Sequence, residues 1–290
     1  MTAFKNLVFK GGGVLGIAYA GAIKVLETRN VLQDIDRVAG TSAGAITAML
    51  VSLRYNADEI KSIVNATSFK SFEDGKNPLR VFTKYGLYSG DAALKWIQGN
   101  VTQKGLAAGA TFRDFKNKGC RDLRVFATDL NQMGLREFSF DTSPDVPVAE
   151  AVRASMSIPM FFKAWQFSNN NPDNHIYVDG GMIYNYPIDT FDQGGVPNPE
   201  TIGCYLANLN KVSKANDLGY NELFKYIKLT FETILDAQVV NFQNDPEQQK
   251  RSIVIDDLGI SATNFDLSKD QEDALYNSGI KYATQYLDGH

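Results

Sequence analysis

The sequence predicts an α/β fold in which a mainly parallel sheet lies between layers of helix. Three observations carry that expectation. Short apolar runs alternate with stretches of helical spacing through the first half of the chain. Two of these runs, Leu7–Lys10 and Asp36–Ser42, each lead into a helical pattern, and a β-α-β-α start builds a parallel sheet with helices packed on it. No repeat, low-complexity tract or long linker interrupts the 290 residues, so one domain is expected over 1–290.

Taken in order, Leu7–Lys10 reads as the first strand and Ile17–Arg29 as a helix. Asp36–Ser42 is the second strand. Ala43–Tyr55 is nearly all apolar, so this helix should be buried on most sides. The stretch 68–110 mixes Gly, Lys and Asn with Phe69, Phe72, Phe82, Tyr85, Tyr88 and Trp96. It is either an inserted lid or interface-binding cap, or an ordinary piece of core. Its one clear helix spans Ser89–Val101, with Ser89 as the expected N-cap.

Leu123–Leu130 and Arg136–Phe140 read as strands, and Val148–Met156 as a helix ended before Pro159. Ile176–Gly181 and Thr201–Leu209 are apolar strands. The part from 216 to 290 is mostly helical and is expected to pack on the same domain. Leu223, Ile227, Phe231 and Leu235 recur along an amphipathic stretch, and Ser252–Asp257 is a short strand. The last helix runs over Ser268–Leu287, with Ser268 as N-cap and Gln271 completing a capping box.

Composition narrows the function. Lys and Arg total 29 against 33 Asp and Glu, which gives no electrostatic footprint of a nucleic-acid binder. Cys120 and Cys204 have neither metal-ligand spacing nor a disulfide framework, and fit two reduced, buried thiols. No metal cluster is suggested and no cofactor is expected. No apolar run approaches the ~18 residues of a membrane span. The N-terminus argues against a Sec signal, because Lys5 and Asn6 precede a short strand that runs straight into the glycine turn. The expected location is cytoplasmic with peripheral membrane association, and secretion by a route other than Sec stays open.

Gly11, Gly13 and Gly16 satisfy G-x-G-x-x-G between a strand and a helix. A dinucleotide site also needs an acid after the second strand, but Asp34 and Asp36 stand before it. A P-loop needs Lys and Ser/Thr where Ile17 and Ala18 stand. Two alternatives carry more weight: a purely structural turn, and bare N–H groups awaiting a charge that exists only during a reaction.

Gly40–Gly44, "GTSAG", matches G-x-S-x-G with a strand before it and a helix directly after, the context of a nucleophile elbow. Ser42 would need a base. The chain has two histidines: His175 in a polar loop and His290 at the last position. Neither is well placed, so a Ser-His-Asp triad is disfavoured and an acid is needed. Asp179 ends an apolar strand and precedes Gly180 and Gly181. It is expected at the C-terminal end of a parallel strand, where α/β sheets carry their sites. An aspartate that merely opens a turn has the same local sequence. Ser155 and Ser157 lack flanking glycines and are not expected as nucleophiles.

"GGGVLG", "GTSAG" and "DGG" occur in the order and contexts of the patatin-like phospholipases. The similarity continues through "KYGLYSGDAALKWI", "VRASMSIPMFF" and "VDGGMIYNYPIDTFD", from Leu7 to about Asp192. The resemblance implies a three-layer α/β/α sandwich and a Ser-Asp dyad with no histidine. It implies Ser42 as nucleophile, Asp179 as general base, and Gly11, Gly12 and Gly13 as an oxyanion loop. Gly16, Gly40, Gly44, Gly180 and Gly181 match the elbow and motif glycines.

The implied activity is hydrolysis of fatty-acyl esters of phospholipase A or lysophospholipase type, at a membrane or micelle surface. Acyl transfer, neutral-lipid hydrolysis and lipid binding without turnover would use the same residues. A homo-oligomer or a protein activator is compatible with them. One position departs from the pattern. Many members carry Arg or Lys two residues after the third glycine, where this chain has Leu15, as triglyceride-lipase-like members have an apolar residue. A cationic contact to a head group or intermediate is therefore missing from the loop.

Overall fold

The structure is a computed structural model describing residues 4–209, 219 and 222–289. The strands are β1 (Asn6–Phe9), β2 (Arg37–Thr41), β3 (Gly86–Tyr88), β4 (Asp122–Asp129), β5 (Gly134–Phe138), β6 (Met160–Phe162), β7 (Tyr177–Asp179), β8 (Thr201–Ala207) and β9 (Ser252–Asp256). The helices are α1 (Ile17–Thr28), α2 (Ala43–Ser52), α3 (Ala57–Ala66), α4 (Arg80–Lys84), α5 (Asp91–Gln103), α6 (Phe112–Lys118), α7 (Val148–Ser155), α8 (Leu223–Ala237), α9 (Val239–Gln243), α10 (Pro246–Lys250) and α11 (Lys269–Asp288). The expected strands and helices are present, with ends displaced by a few residues.

The main sheet has the order β5-β4-β2-β1-β8-β9, with β7 also paired to β4. β4, β2, β1, β8 and β9 are parallel. β5 and β7 run antiparallel to β4. The chain starts in the middle at β1, builds outward through β2 and β4, then returns to β1's other edge with β8. The crevice beyond the ends of β1 and β8 is thus a topological switch point, where open α/β sheets bind ligands. A second, two-stranded sheet joins β3 to β6 in parallel.

Alternation along the strands divides the core. Leu7 and Phe9 of β1 belong to the large cluster shared with α1, α2, α7 and α11. Val8 faces the other side, where it packs with Ala39, Phe126, Ile188 and Phe191. That second face is covered by the segment 184–191 and by α9, whose Phe242 stacks on Tyr205 at 3.7 Å. Three layers result, the second outer one thin and partly irregular.

The last helix docks on the first. α1 and α11 cross closely: a Cβ on Gly21 would meet the Tyr276 carbonyl oxygen at 2.0 Å, and one on Gly279 the Ala18 oxygen at 1.9 Å. Ser268 and Gln271 form the expected capping box of α11. The N-cap of α5 differs from expectation. Gly90, not Ser89, occupies it, with φ +65°. The carboxylate of Asp74 accepts from the Gly90 and Ala92 N–H groups at 2.6 and 2.9 Å, so a residue from the preceding loop satisfies the helix end.

Arg153 of α7 fixes the 68–110 segment to the sheet. It is fully buried, and its guanidinium donates to the carbonyls of Ser89 and Gly90 at 3.0 Å each and to Ser157 Oγ at 2.6 Å. Burial pushes its pKa down to about 10, which leaves it charged at neutral pH. Truncation strands those acceptors in a dry interior. Arg153→Ala is expected to lower stability by about 3 kcal/mol, read as a fall in the urea midpoint at unchanged m-value.

Candidate active site

The site is assembled on one edge of β4. The other edge of β4 is taken by β5 along Val125–Asp129. On the first edge, β2 pairs with Asp122–Phe126, and β7 pairs with Ala127–Asp129 from the opposite direction. The two strands therefore meet end to end. Thr41 lies opposite Phe126, and Asp179 lies opposite the next residue, Ala127. The residue that leaves β2 is Ser42. Its Oγ donates to Asp179 Oδ2 at 2.7 Å. This corrects the expected parallel strand: β7 is antiparallel, because only a strand running against β2 can end facing β2's end.

Ser42 turns sharply into α2, with φ +54° and ψ −124°. A side chain in this region costs about 1–3 kcal/mol and needs support from its surroundings. The Ser42 N–H donates to Ser155 Oγ at 2.8 Å, and that hydroxyl donates to the Phe126 carbonyl at 2.5 Å. Ser155 thus braces the elbow. Ser157 contributes its carbonyl, which accepts from the Asp179 N–H at 2.9 Å. The motif glycines are needed for close approach: a Cβ on Gly40 would meet the Gly44 carbonyl oxygen at 2.2 Å, and one on Gly44 the Phe9 oxygen at 2.4 Å.

The loop after β1 lies over this pair. Gly11 is already committed, donating its N–H to the Asn185 carbonyl at 2.8 Å. Gly12 and Gly13 line the cavity with Ser42 and Asp179, and their N–H groups have no acceptor among the described residues. Gly11 thus anchors the loop. Gly13 has φ +53°, and a Cβ there would meet the Ala262 carbonyl oxygen at 1.9 Å. Gly16 packs against Ala43 behind the elbow. Leu15 is buried in the main core cluster, so that position does not face the site.

Asp179 is 1% exposed. Burial pushes its carboxyl pKa up to about 7, against the pull of hydrogen bonds from Ser42 and from the Gly181 N–H, the latter at 2.8 Å. The weak base suggested by an ordinary carboxylate is therefore made stronger by desolvation. His175 stands at the opposite end of β7, with Nδ1 2.7 Å from Asp129 Oδ2, and that hydrogen bond raises its pKa. His290 lies outside the described residues.

The C-terminal part supplies the cover, which the sequence did not reveal. Phe231 and Leu235 of α8, with Ala262 and Thr263 from the loop after β9, close the cavity over Ser42 and Asp179, leaving about 10 Å³. The amphipathic spacing of α8 is legible in sequence, but its target is not. Behind Ser42 lies an apolar cavity of about 30 Å³, walled by Phe69, Phe72, Ile158, Phe162 and Phe265. The 68–110 segment is thus divided. Phe69 and Phe72 reach the site, Ala93, Ile97 and Val101 join the core, and Leu79, Phe82 and Tyr85 face outward. Among the described residues no cluster of three His, Cys, Asp or Glu could hold a metal ion, and no helix is long and apolar enough to cross a membrane.

A carboxyl that titrates higher in the folded chain than in the unfolded one favours folding most below its unfolded pKa. That contribution is lost as pH rises through about 7. Keeping Asp179 charged above that pH costs on the order of 4 kcal/mol. Asp179→Asn is therefore expected to raise Tm relative to the native chain at pH 8.5, with the gain shrinking toward pH 5. Calorimetry across that range checks it, and a constant difference at every pH would contradict it.

Comparison with known proteins bears on family and fold. The patatin-like phospholipase family model matches residues 7–192. The uncharacterised protein YqhO of Bacillus subtilis is 32% identical over 296 residues, covering 97% of each chain. The cGAMP-activated phospholipase of Pseudomonas aeruginosa is 25% identical over 289 residues, covering 89% of this chain and 84% of that one. The crystal structure of VipD from Legionella pneumophila shares the fold with a TM-score of 0.65 at 17% identity, over 99% of this chain and 67% of that one. The family match spans β1, β2, β4 and β7 together, and the protein belongs to the patatin-like phospholipase family.

Proposed function

We propose that the protein is a lipid acyl hydrolase that cleaves fatty-acyl esters through Ser42 and Asp179, by way of an acyl-enzyme. The observation that carries this is the 2.7 Å hydrogen bond from a strained elbow serine to a buried carboxylate, beside two unspent loop N–H groups. Ser42 Oγ attacks the ester carbonyl carbon as its proton passes to Asp179. Negative charge collects on the carbonyl oxygen, where the Gly12 and Gly13 N–H groups and the N-terminus of α2 meet it. Each such donor is worth ~3 kcal/mol in comparable sites. The intermediate collapses, and the leaving alcohol takes the proton from Asp179. Water then attacks the acyl-serine, gives its proton to Asp179, and the fatty acid departs as Ser42 regains its hydrogen.

Residues 222–289 belong to the catalytic unit, since α8 and the loop after β9 line the cavity. Room for about one water admits no acyl chain, so these elements must open before lipid binds. A lipid surface suits that step. Leu79, Phe82 and Tyr85 are exposed, Phe82 at 79%, among exposed Lys76 and Lys84 and the side chain of Arg80. Apolar tips interleaved with cations fit an anionic bilayer.

Ser42→Ala and Asp179→Asn are each expected to lower ester hydrolysis by about a thousandfold or more, and fluorophosphonate should label Ser42 in the native chain. An Asp179→Asn variant that keeps most of its activity would falsify the dyad. Because the base must be ionised, kcat/KM on a soluble ester is expected to rise with pH through about 7, the value burial gives Asp179. An acid limb near pH 4 would contradict that. Phe82→Asp is expected to reduce turnover of phosphatidylglycerol vesicles by about tenfold and leave hydrolysis of a soluble short-chain ester unchanged. Equal loss on both substrates would argue for a core role.

A further inference from the structure

Asn185 lies six residues after Asp179 and is 2% exposed. Its backbone is fully engaged. The N–H donates to Gln238 Oε1 at 2.9 Å, and the carbonyl accepts from Gly11 at 2.8 Å. Gln238 in turn donates to the Gly181 carbonyl at 2.6 Å. The side chain is the reverse. Neither Oδ1 nor Nδ2 has a hydrogen-bond partner among the described residues, although the amide lines the cavity of Ser42 and Asp179.

Buried amides are nearly always partnered in folded proteins. Here the surroundings make room for one instead. A Cβ on Gly11 would meet Asn185 Oδ1 at 2.2 Å, and one on Gly181 at 3.0 Å, so two motif glycines give the amide its place. The other polar side chains around the cavity are spent: Ser42 donates to Asp179, and Thr263 Oγ1 donates to Glu232 at 2.7 Å. Leu15 of the loop after β1 is in the core. Asn185 is thus the one uncommitted side-chain donor lining this cavity among the described residues.

Resting on the acyl-hydrolase reading above, we propose that Asn185 is a catalytic residue whose Nδ2–H donates to the oxyanion formed when Ser42 attacks the ester. An ester presents acceptors only, so of the two ends of the amide it is the N–H end that substrate selects. The backbone that carries the donor is held by hydrogen bonds before substrate arrives, and a hydrogen bond from Nδ2 strengthens as charge moves onto the oxygen. It adds a side-chain donor to the N–H groups of Gly12 and Gly13, while Lys10 of the same loop is turned to the Leu206 carbonyl.

The test uses the full chain, p-nitrophenyl butyrate, a trifluoromethyl ketone that adds to Ser42 as an oxyanion, and a fatty-acid product inhibitor. Asn185→Leu keeps the volume and removes the donor, and Asn185→Ala guards against overpacking. In both, kcat is expected to fall by about 100-fold with KM changed less than about threefold. The trifluoromethyl ketone should weaken by a similar factor, fatty-acid inhibition should be unchanged, and Tm should be unchanged or higher. A kcat kept within about threefold overturns the proposal, as does a fall in Tm in both variants, which marks a structural residue. A native chain that hydrolyses no ester and is not labelled at Ser42 overturns the hydrolase reading, and this inference with it. A labelled, active native chain with an equally active Asn185→Leu overturns only this inference.

Discussion

The end-to-end meeting of β2 and β7 on one edge of β4 is the constraint on which the site depends. Register along β4 sets Thr41 against Phe126 and Asp179 against Ala127. A slip of one residue in either strand would turn its side chains to the other face of the sheet. Apolar alternation guards against that slip, since Val38 of β2 and Tyr177 of β7 are buried in the main core cluster. The hydrophobic core thereby fixes a polar contact that contributes little to folding. The helix behind Ser42 and the brace from Ser155 then hold the serine in a conformation it would not adopt alone.

Three features around this contact are unfavourable to the folded state taken singly. Ser42 has a left-handed φ, Asp179 is a carboxylate removed from water, and the side-chain amide of Asn185 has no partner among the described residues. Each is tolerated because a rigid, well-packed sheet over-determines its position. All three line one small cavity. Arg153 and Arg121, also in the interior, are by contrast met by carbonyls that surround their guanidinium groups.

Closure adds the other half of the arrangement. The cover comes from α8 and the loop after β9, far along the chain from the motifs. Removing water from the cavity raises the basicity of Asp179, and the same cover leaves only about 10 Å³ beside Ser42. Basicity and access are therefore coupled through one set of side chains. The cationic and aromatic tip at 76–85 belongs to the segment that also supplies Phe69 and Phe72 to the apolar wall, which links an outward face to the inner cavity.

The sequence by itself determined the parallel α/β start, the strand–turn–helix at Gly40–Gly44, the capping box of α11, and the lack of a well-placed histidine for Ser42. These are local matters: hydrophobic period, glycine spacing, cap residues and residue inventory are all written within short stretches. The family resemblance extended them because its motifs lie in register over much of the chain. Only the tertiary structure decided the direction of β7, the commitment of the Gly11 N–H to Asn185, the burial of Leu15, and the cover by Phe231 and Leu235. It also raised Asp179 to a pKa near neutrality. Each of these rests on groups distant in sequence meeting where water is excluded, and neither a contact partner nor the loss of hydration is encoded in any local pattern.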